Sequence, residues 1–212
     1  MVKVDVHILR SLGEREDWFQ HCLESLEREP VNIHVLEGVP DHIGKGRKAG
    51  LQAGTEPYVA YVDPDDLVCR GAFQACIDAL QADASKAVAY TGEARVSKDG
   101  VLLAAYDRKL YEPFFGTPDE ALRAHHLCVY RRTALPNLNF LDDFPFMPEQ
   151  ALKTRLWNHN FVYVDRIGYQ WRQHQGGASK RRWASTPEMG ALLARQSSMW
   201  KRLFAPKTGD ER

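Results

Sequence analysis

The residues best placed to do chemistry lie in Tyr58–Val68, YVAYVDPDDLV, where Asp63, Asp65 and Asp66 end an apolar run that reads as a buried strand. Three carboxylates within four residues repel one another, and ionising all three is costly unless a cation sits among them. A hard divalent ion held by one or two carboxylates, with phosphate oxygens in its other positions, is the usual employment of such a cluster. The same residues also make a turn: Asp-Pro-Asp-Asp is good turn chemistry, and Asp66 could cap a helix starting near Val68.

The elements that must position this cluster alternate. Val2, Val4, Val6 and Ile8 alternate with Lys3, Asp5 and His7, which predicts a strand over 2–9 with one more polar face. A loop, SLGERE, leads to a helix from about Asp17 to Arg28 with Trp18, Phe19, Cys22, Leu23 and Leu26 as its apolar stripe. Further strands are expected at 31–36, 58–62 and 86–91, and helices at about 45–54 and 70–82. This order argues for an α/β fold with a central, mainly parallel mixed sheet flanked by helices. Ligands of such sheets bind beyond the carboxyl ends of the strands, where Ser11–Glu16, Glu37 and Asp63–Asp66 fall. The second half is less regular. It reads as a hairpin at 94–104 around Lys98-Asp99-Gly100, a strand at His125–Arg132, a helix from Glu149 to Trp157, and a strand or pair of strands from Phe161. An amphipathic helix over 187–204 presents Met189, Leu192, Leu193, Trp200, Leu203 and Phe204 on one side.

At 212 residues the chain is expected to form one domain, with a first half at 1–92, a second at 93–186 and the helix at 187–204. Its 44% hydrophobic and 26% charged residues are those of an ordinary globular protein. No transmembrane segment is expected, since no apolar run approaches the roughly 20 residues that span a bilayer, and MVKVDVHIL is expected to be a strand, not a secretory signal. Cys22, Cys69, Cys76 and Cys128 lack zinc-type spacing and read as buried free thiols, which suits a cytoplasmic location. Net charge is zero, yet residues 166–212 carry ten Lys/Arg against three acids, an excess of seven. A basic terminal quarter suits a polyanionic or phosphate-bearing partner, or simply a solvated face.

The stretch GRKAGLQAGTEPYVAYVDPDD resembles the nucleotide-sugar-binding half of family-two glycosyltransferases of the GT-A fold. Arg47, Gly50, Tyr58, Asp63, Asp65 and Asp66 fall in the register of that family's pattern, and Arg15-Glu16 and Ser25-Leu26 also look like it. The resemblance implies transfer of a sugar from a nucleoside-diphosphate sugar, a UDP-sugar first among them, to an acceptor hydroxyl. It implies Asp65 as ligand of Mn²⁺ or Mg²⁺, Asp63 at the ribose or the metal, and Arg47 near the diphosphate or nucleobase. Ser11, Arg15, Glu37 and Lys180 complete the expected donor contacts. Glu149, followed by Leu152 and Arg155, takes the position of the family's general base, although the usual Glu-Asp pair is here Pro148-Glu149. A helix-start acid favoured by the macrodipole is the plainer reading of Glu149. YQWRQHQGGAS, residues 169–179, resembles the family's later motif and makes His174 a candidate for the metal shell. One base and no second nucleophilic carboxylate implies inversion at the sugar.

Two departures loosen the donor assignment: Glu37-Gly38 stands where the family has an Asp for the nucleobase, and Lys48 follows Arg47 where it has Asn. The acceptor is left open among a glycan, a lipid-linked saccharide and a hydroxymethylated base in phage DNA. The basic quarter with Trp171, Trp183 and Trp200 suits nucleic acid, and the last helix suits peripheral membrane contact or simple packing. A nucleotidyltransferase and a non-catalytic nucleotide-sugar-binding protein are the readings of another class.

Overall fold

The computed structural model describes residues 2–11, 13–157 and 160–174, so Lys180 and the 187–204 helix lie outside the described residues. Among the described residues eight strands form one mixed sheet: β1 (Val4–Arg10), β2 (Val31–Glu37), β3 (Tyr58–Val62), β4 (Leu67–Val68), β5 (Val88–Ser97), β6 (Leu102–Tyr106), β7 (Cys128–Arg131) and β8 (Phe161–Gln173). Their order is β2-β1-β3-β7-β5-β8-β4, with β6 hydrogen-bonded to β5. The helices are α1 (Glu16–Leu26), α2 (Ile43–Gln52), α3 (Ala72–Ala82), α4 (Arg108–Tyr111), α5 (Pro118–Arg123) and α6 (Pro148–Leu156).

Register decides which residues meet. β1 runs parallel to β2 and β3, with Arg10 beside Glu37 and Ile8 beside Val62, so the loops after β1 and β3 leave the same edge of the sheet. β7 is antiparallel to β3 and β5, pairing Ala60 and Ala89 with Val129. Residues just before β7 are thereby returned to the edge where β3 ends. β8 runs parallel to β5 and pairs Glu93 with Tyr169 and Ser97 with Gln173. One edge thus collects the carboxyl ends of β1, β3, β5 and β8 together with the amino end of β7.

Both faces are covered. Val4, Val6 and Ile8 pack with Phe19, Cys22 and Leu26 of α1 and with Phe73, Cys76, Ile77 and Leu80 of α3. The opposite face packs Val59, Tyr61, Tyr90 and Tyr130 against Leu51 of α2 and Leu152 and Leu156 of α6. Each such aliphatic or aromatic side chain withdrawn from water stabilises the fold by about 1.5–3 kcal/mol.

Three expectations are refined. The more polar face of β1 carries Asp5 and His7 into the interior, because β1 is an inner strand with helices on both sides. Asp5 accepts from Arg132 Nη2 (2.8 Å) and the Glu56 amide (2.7 Å) and lies 2.9 Å from His34 Nε2. The helix expected at 70 begins at Ala72, and its cap is not Asp66 but Glu29, whose carboxylate accepts from the amides of Gly71 and Phe73. The strand expected at 86–91 continues to Ser97 as one arm of the 94–104 hairpin, whose turn places Gly100 at φ 83°.

Candidate active site

The acidic loop is both a turn and a cluster. The Asp66 amide donates to the Asp63 carbonyl (3.1 Å), closing the turn that Asp-Pro-Asp-Asp favours. α1 supports it from below: Ser25 Oγ donates to the Cys22 carbonyl (2.6 Å) and accepts from the Val68 amide (3.1 Å). Asp66 is wholly buried, accepting from Tyr169 Oη (2.9 Å) and the Arg172 amide (2.7 Å), while Tyr169 Oη also accepts from the Asp63 amide (3.1 Å). Its role is to lock the loop to β8. Burial, and then the charges of Asp65 and Asp63, push its carboxyl well above the ordinary carboxylate range. A cation in the loop would relieve that strain.

Arg47 links the loop to α6. It is buried and ion-paired with Asp63, and its Nε donates to Glu149 Oε1 (2.6 Å), its guanidinium lying 4.2 Å over the Tyr61 ring. Arg47 is therefore no solvent-facing helix charge. Burial would raise the Asp63 carboxyl; Arg47, then His126, more than offset it and hold it below its ordinary value. Gly50, one turn further along α2, explains how Arg47 comes so close to the sheet: a Cβ there would collide with the His7 ring. Glu149 opens α6 after Pro148, with Met147 in the left-handed region (φ 50°) turning the chain into the helix.

His174 Nε2 lies 2.5 Å from Asp65 Oδ2, at the end of β8. Its ring meets Trp18 of α1 edge-on at 4.6 Å, and Trp18 is also covered by Arg15 (4.3 Å) and Arg172 (5.0 Å). Arg172 Nε donates to the Asp65 carbonyl (2.8 Å), so β8 grips the loop by backbone and side chain together. Glu14 stands on the other side. Burial, then Asp65 and Asp63, push its carboxyl up to about 7, and its Oε2 is buried with no protein partner.

A second cluster borders the first. Glu93 of β5 meets His125 and His126, the residues before β7. Burial would raise the Glu93 carboxyl, but hydrogen bonds from both imidazoles hold it far below its ordinary value. Asp63, Asp66 and His126 also offer ligand atoms within 4.8 Å of one another, so the two clusters share His126.

No protein-family model matches the sequence, and no curated protein sequence matches it. Solved structures do. The crystal structure of S. aureus TarS 1-349 in complex with UDP-GlcNAc superposes with a TM-score of 0.63 at 12% identity, covering 97% of this chain and 68% of that one. The TarS 1-349 complex with UDP gives 0.59 at 12% identity over 97% of this chain and 73% of that one. TarS in a longer form gives 0.59 at 12% identity, with 96% of this chain covering 44% of that one. TarS is a GT-A-type glycosyltransferase. This chain has the GT-A fold.

Within the GT-A frame, the structure brings Arg47, Asp63 and Glu149 together, and Asp65 with His174. Ser11 follows β1, exposed, and Arg15 caps α1, exposed and ion-paired with Asp17. Glu37, exposed, ends β2 beside Arg10. Sequence reasoning missed Glu14, Trp18 as a partner of His174, Glu93 and the His125–His126 pair. Of these, only adjacent histidines leading into a strand gave a local signal.

At the loop Asp65 and His174 bring a carboxylate oxygen and an imidazole nitrogen into contact, and Glu14 adds a buried oxygen without a protein partner. Among the described residues, the group at the loop whose ligand atoms all lie within 4.8 Å of one another is Asp63, Asp66 and His126. Carboxylates with one imidazole suit Mn²⁺ and also accept Mg²⁺.

Proposed function

We propose that this chain is a metal-dependent glycosyltransferase that moves a sugar from a nucleoside-diphosphate sugar, a UDP-sugar in the first instance, to an acceptor hydroxyl with inversion. The observation that carries this reading is Arg47, which joins the acidic loop at Asp63 to the helix-start acid Glu149 on a GT-A fold. The complexes of TarS with UDP-GlcNAc and UDP support the donor class.

In this reading Asp65, Asp63 and His174 hold Mn²⁺ or Mg²⁺, which when bound stabilises the charge developing on the departing diphosphate. Arg47 gives the same edge of the site a permanent positive charge, and its bond to Glu149 fixes that carboxylate in one orientation. The acceptor oxygen forms a bond to the anomeric carbon as the bond from that carbon to the diphosphate breaks. The acceptor proton passes to Glu149. Ser11, Arg15, Glu37 and Lys180 line the donor side in the same proposal.

Thermal unfolding of the chain against a panel of nucleotide sugars, with and without Mn²⁺, tests the donor and the ion together. A rise in Tm confined to one nucleotide and needing the ion supports the reading. No shift with any nucleotide sugar sinks it.

A further inference from the structure

The second cluster presents three ligand atoms to a single point. His126 Nδ1 lies 2.7 Å from Glu93 Oε2, His125 Nδ1 lies 3.2 Å from the same oxygen, and the two Nδ1 atoms are 2.7 Å apart. Hydrogen bonds account for the two edges that reach the carboxylate. The third edge joins two ring nitrogens that both face one oxygen, and two N–H donors directed there would set their protons against each other. Three ligands at about 2.1 Å from one ion stand about 3.0 Å apart at the right angles of a facial set and about 3.4 Å apart at the tetrahedral angle, and the edges of this triangle are nearer the facial value.

Burial and surroundings agree. The Glu93 side chain is 7% exposed and that of His126 11%, while that of His125 is 39% exposed. A buried carboxylate requires a positive partner. The Lys153 ammonium is hydrogen-bonded to the Ala124 carbonyl. The ring positions do not depend on Glu93 alone. His126 stacks on Tyr169 at 5.0 Å with 4° between planes, and Trp171 lies 4.9 Å from His126 and 5.5 Å from His125. The ligands come from two elements whose meeting is set by sheet register, with β5 and β8 slipping in register between Gly92 and Glu93.

We infer that Glu93, His125 and His126 form a second metal site, built for a divalent transition-metal ion of the Zn²⁺ or Co²⁺ kind and distinct from the Asp65–His174 pair. Two imidazoles and one carboxylate on one face of an ion leave its remaining positions free for water or a hydroxyl, on the side where His125 is exposed. The inference stands on this triangle and does not rest on the glycosyltransferase reading.

Calorimetric titration of the chelator-stripped full chain with Zn²⁺ alone, without nucleotide, tests it, with the visible absorption of Co²⁺ as a report on the ligands. Zn²⁺ binds the unaltered chain at this site, and an ion taken up by the acidic loop is a separate event that Asp65→Asn removes. Affinity falls by roughly 10- to 100-fold or more in Glu93→Gln and in His125→Ala, and is unchanged in Asp65→Asn. His125 is partly exposed and Glu93→Gln is isosteric, and far-UV circular dichroism verifies that each variant is folded. Failure of the folded, unaltered chain to bind Zn²⁺ overturns the inference, as does undiminished binding by His125→Ala or loss through Asp65→Asn alone. The Tm shift with a UDP-sugar and Mn²⁺, measured on the same His125→Ala protein, judges the transferase reading separately.

Discussion

Arg47 is the residue on which two roles meet, and its geometry makes the roles separable. Glu149→Gln keeps the shape and one acceptor oxygen for Arg47 but cannot take a proton. Turnover should fall by about 10²- to 10⁴-fold while nucleotide-sugar binding, read by Tm shift, is retained. Arg47→Ala instead leaves Asp63 and Glu149 facing each other without their buried cation, and should cost about 3 kcal/mol in urea unfolding as well as donor affinity. Glu14 gives a prediction in pH. Its carboxyl titrates near 7 in the folded chain and at 4.5 as its ordinary value, so the folded state holds the proton more tightly. Its contribution to stability is therefore full below about pH 4.5 and is lost as pH rises through 7. Glu14→Gln should narrow the fall in Tm between pH 4.5 and 8, by about 2–4 °C for each kcal/mol removed, and leave Tm at pH 4.5 nearly unchanged. Equal pH profiles for the two proteins would show that Glu14 is not held protonated by its neighbours.

At the scale of elements, α2 carries Arg47 to the sheet only because Gly50 leaves room for the His7 ring. Gly50→Ala would improve helix propensity by up to about 1 kcal/mol, yet overpacking a tight contact costs about 1–3 kcal/mol. The net expectation is lower stability in denaturant unfolding and a larger loss in turnover, because α2 must shift and takes Arg47 with it. The same contrast explains what the sequence disclosed. Elements with a local period were legible: α1, β1, β3 and the 94–104 hairpin lie within a few residues of expectation. So were the Asp63–Asp65 loop and the helix start at Glu149, which are contiguous patterns. Contacts set by register were not. Asp66 meets Tyr169 and Arg172 across more than a hundred residues, and Glu93 meets His126 across thirty-three. No spacing along the chain encodes those distances; the first follows from β8 pairing antiparallel with β4 just after the loop, and the second from β7 entering antiparallel between β3 and β5. β4, two residues long, has too few positions to show any alternation at all.

The whole molecule is held together at the site. The acidic loop comes from the first half of the chain, whereas Glu149, Tyr169, Arg172 and His174 come from the second, and β5 at Val88–Ser97 runs through the point that separates them. A ligand held by the loop, Arg47 and β8 therefore stabilises both halves at once, and the two should unfold as one unit. Differential scanning calorimetry should show a single transition that moves upward as a whole with a UDP-sugar and Mn²⁺. At a ligand concentration a hundred times Kd the gain is about 2.7 kcal/mol. For a chain of this size that corresponds to roughly 5–10 °C. Asp65→Asn should abolish the shift without splitting the transition, since in the proposed site Asp65 supplies a ligand atom while Asp66 and Arg172 hold the loop to β8. Two transitions, with only one of them responding to the nucleotide, would mean that the first half binds alone and that the bonds from β8 to the loop do not carry the coupling assigned to them.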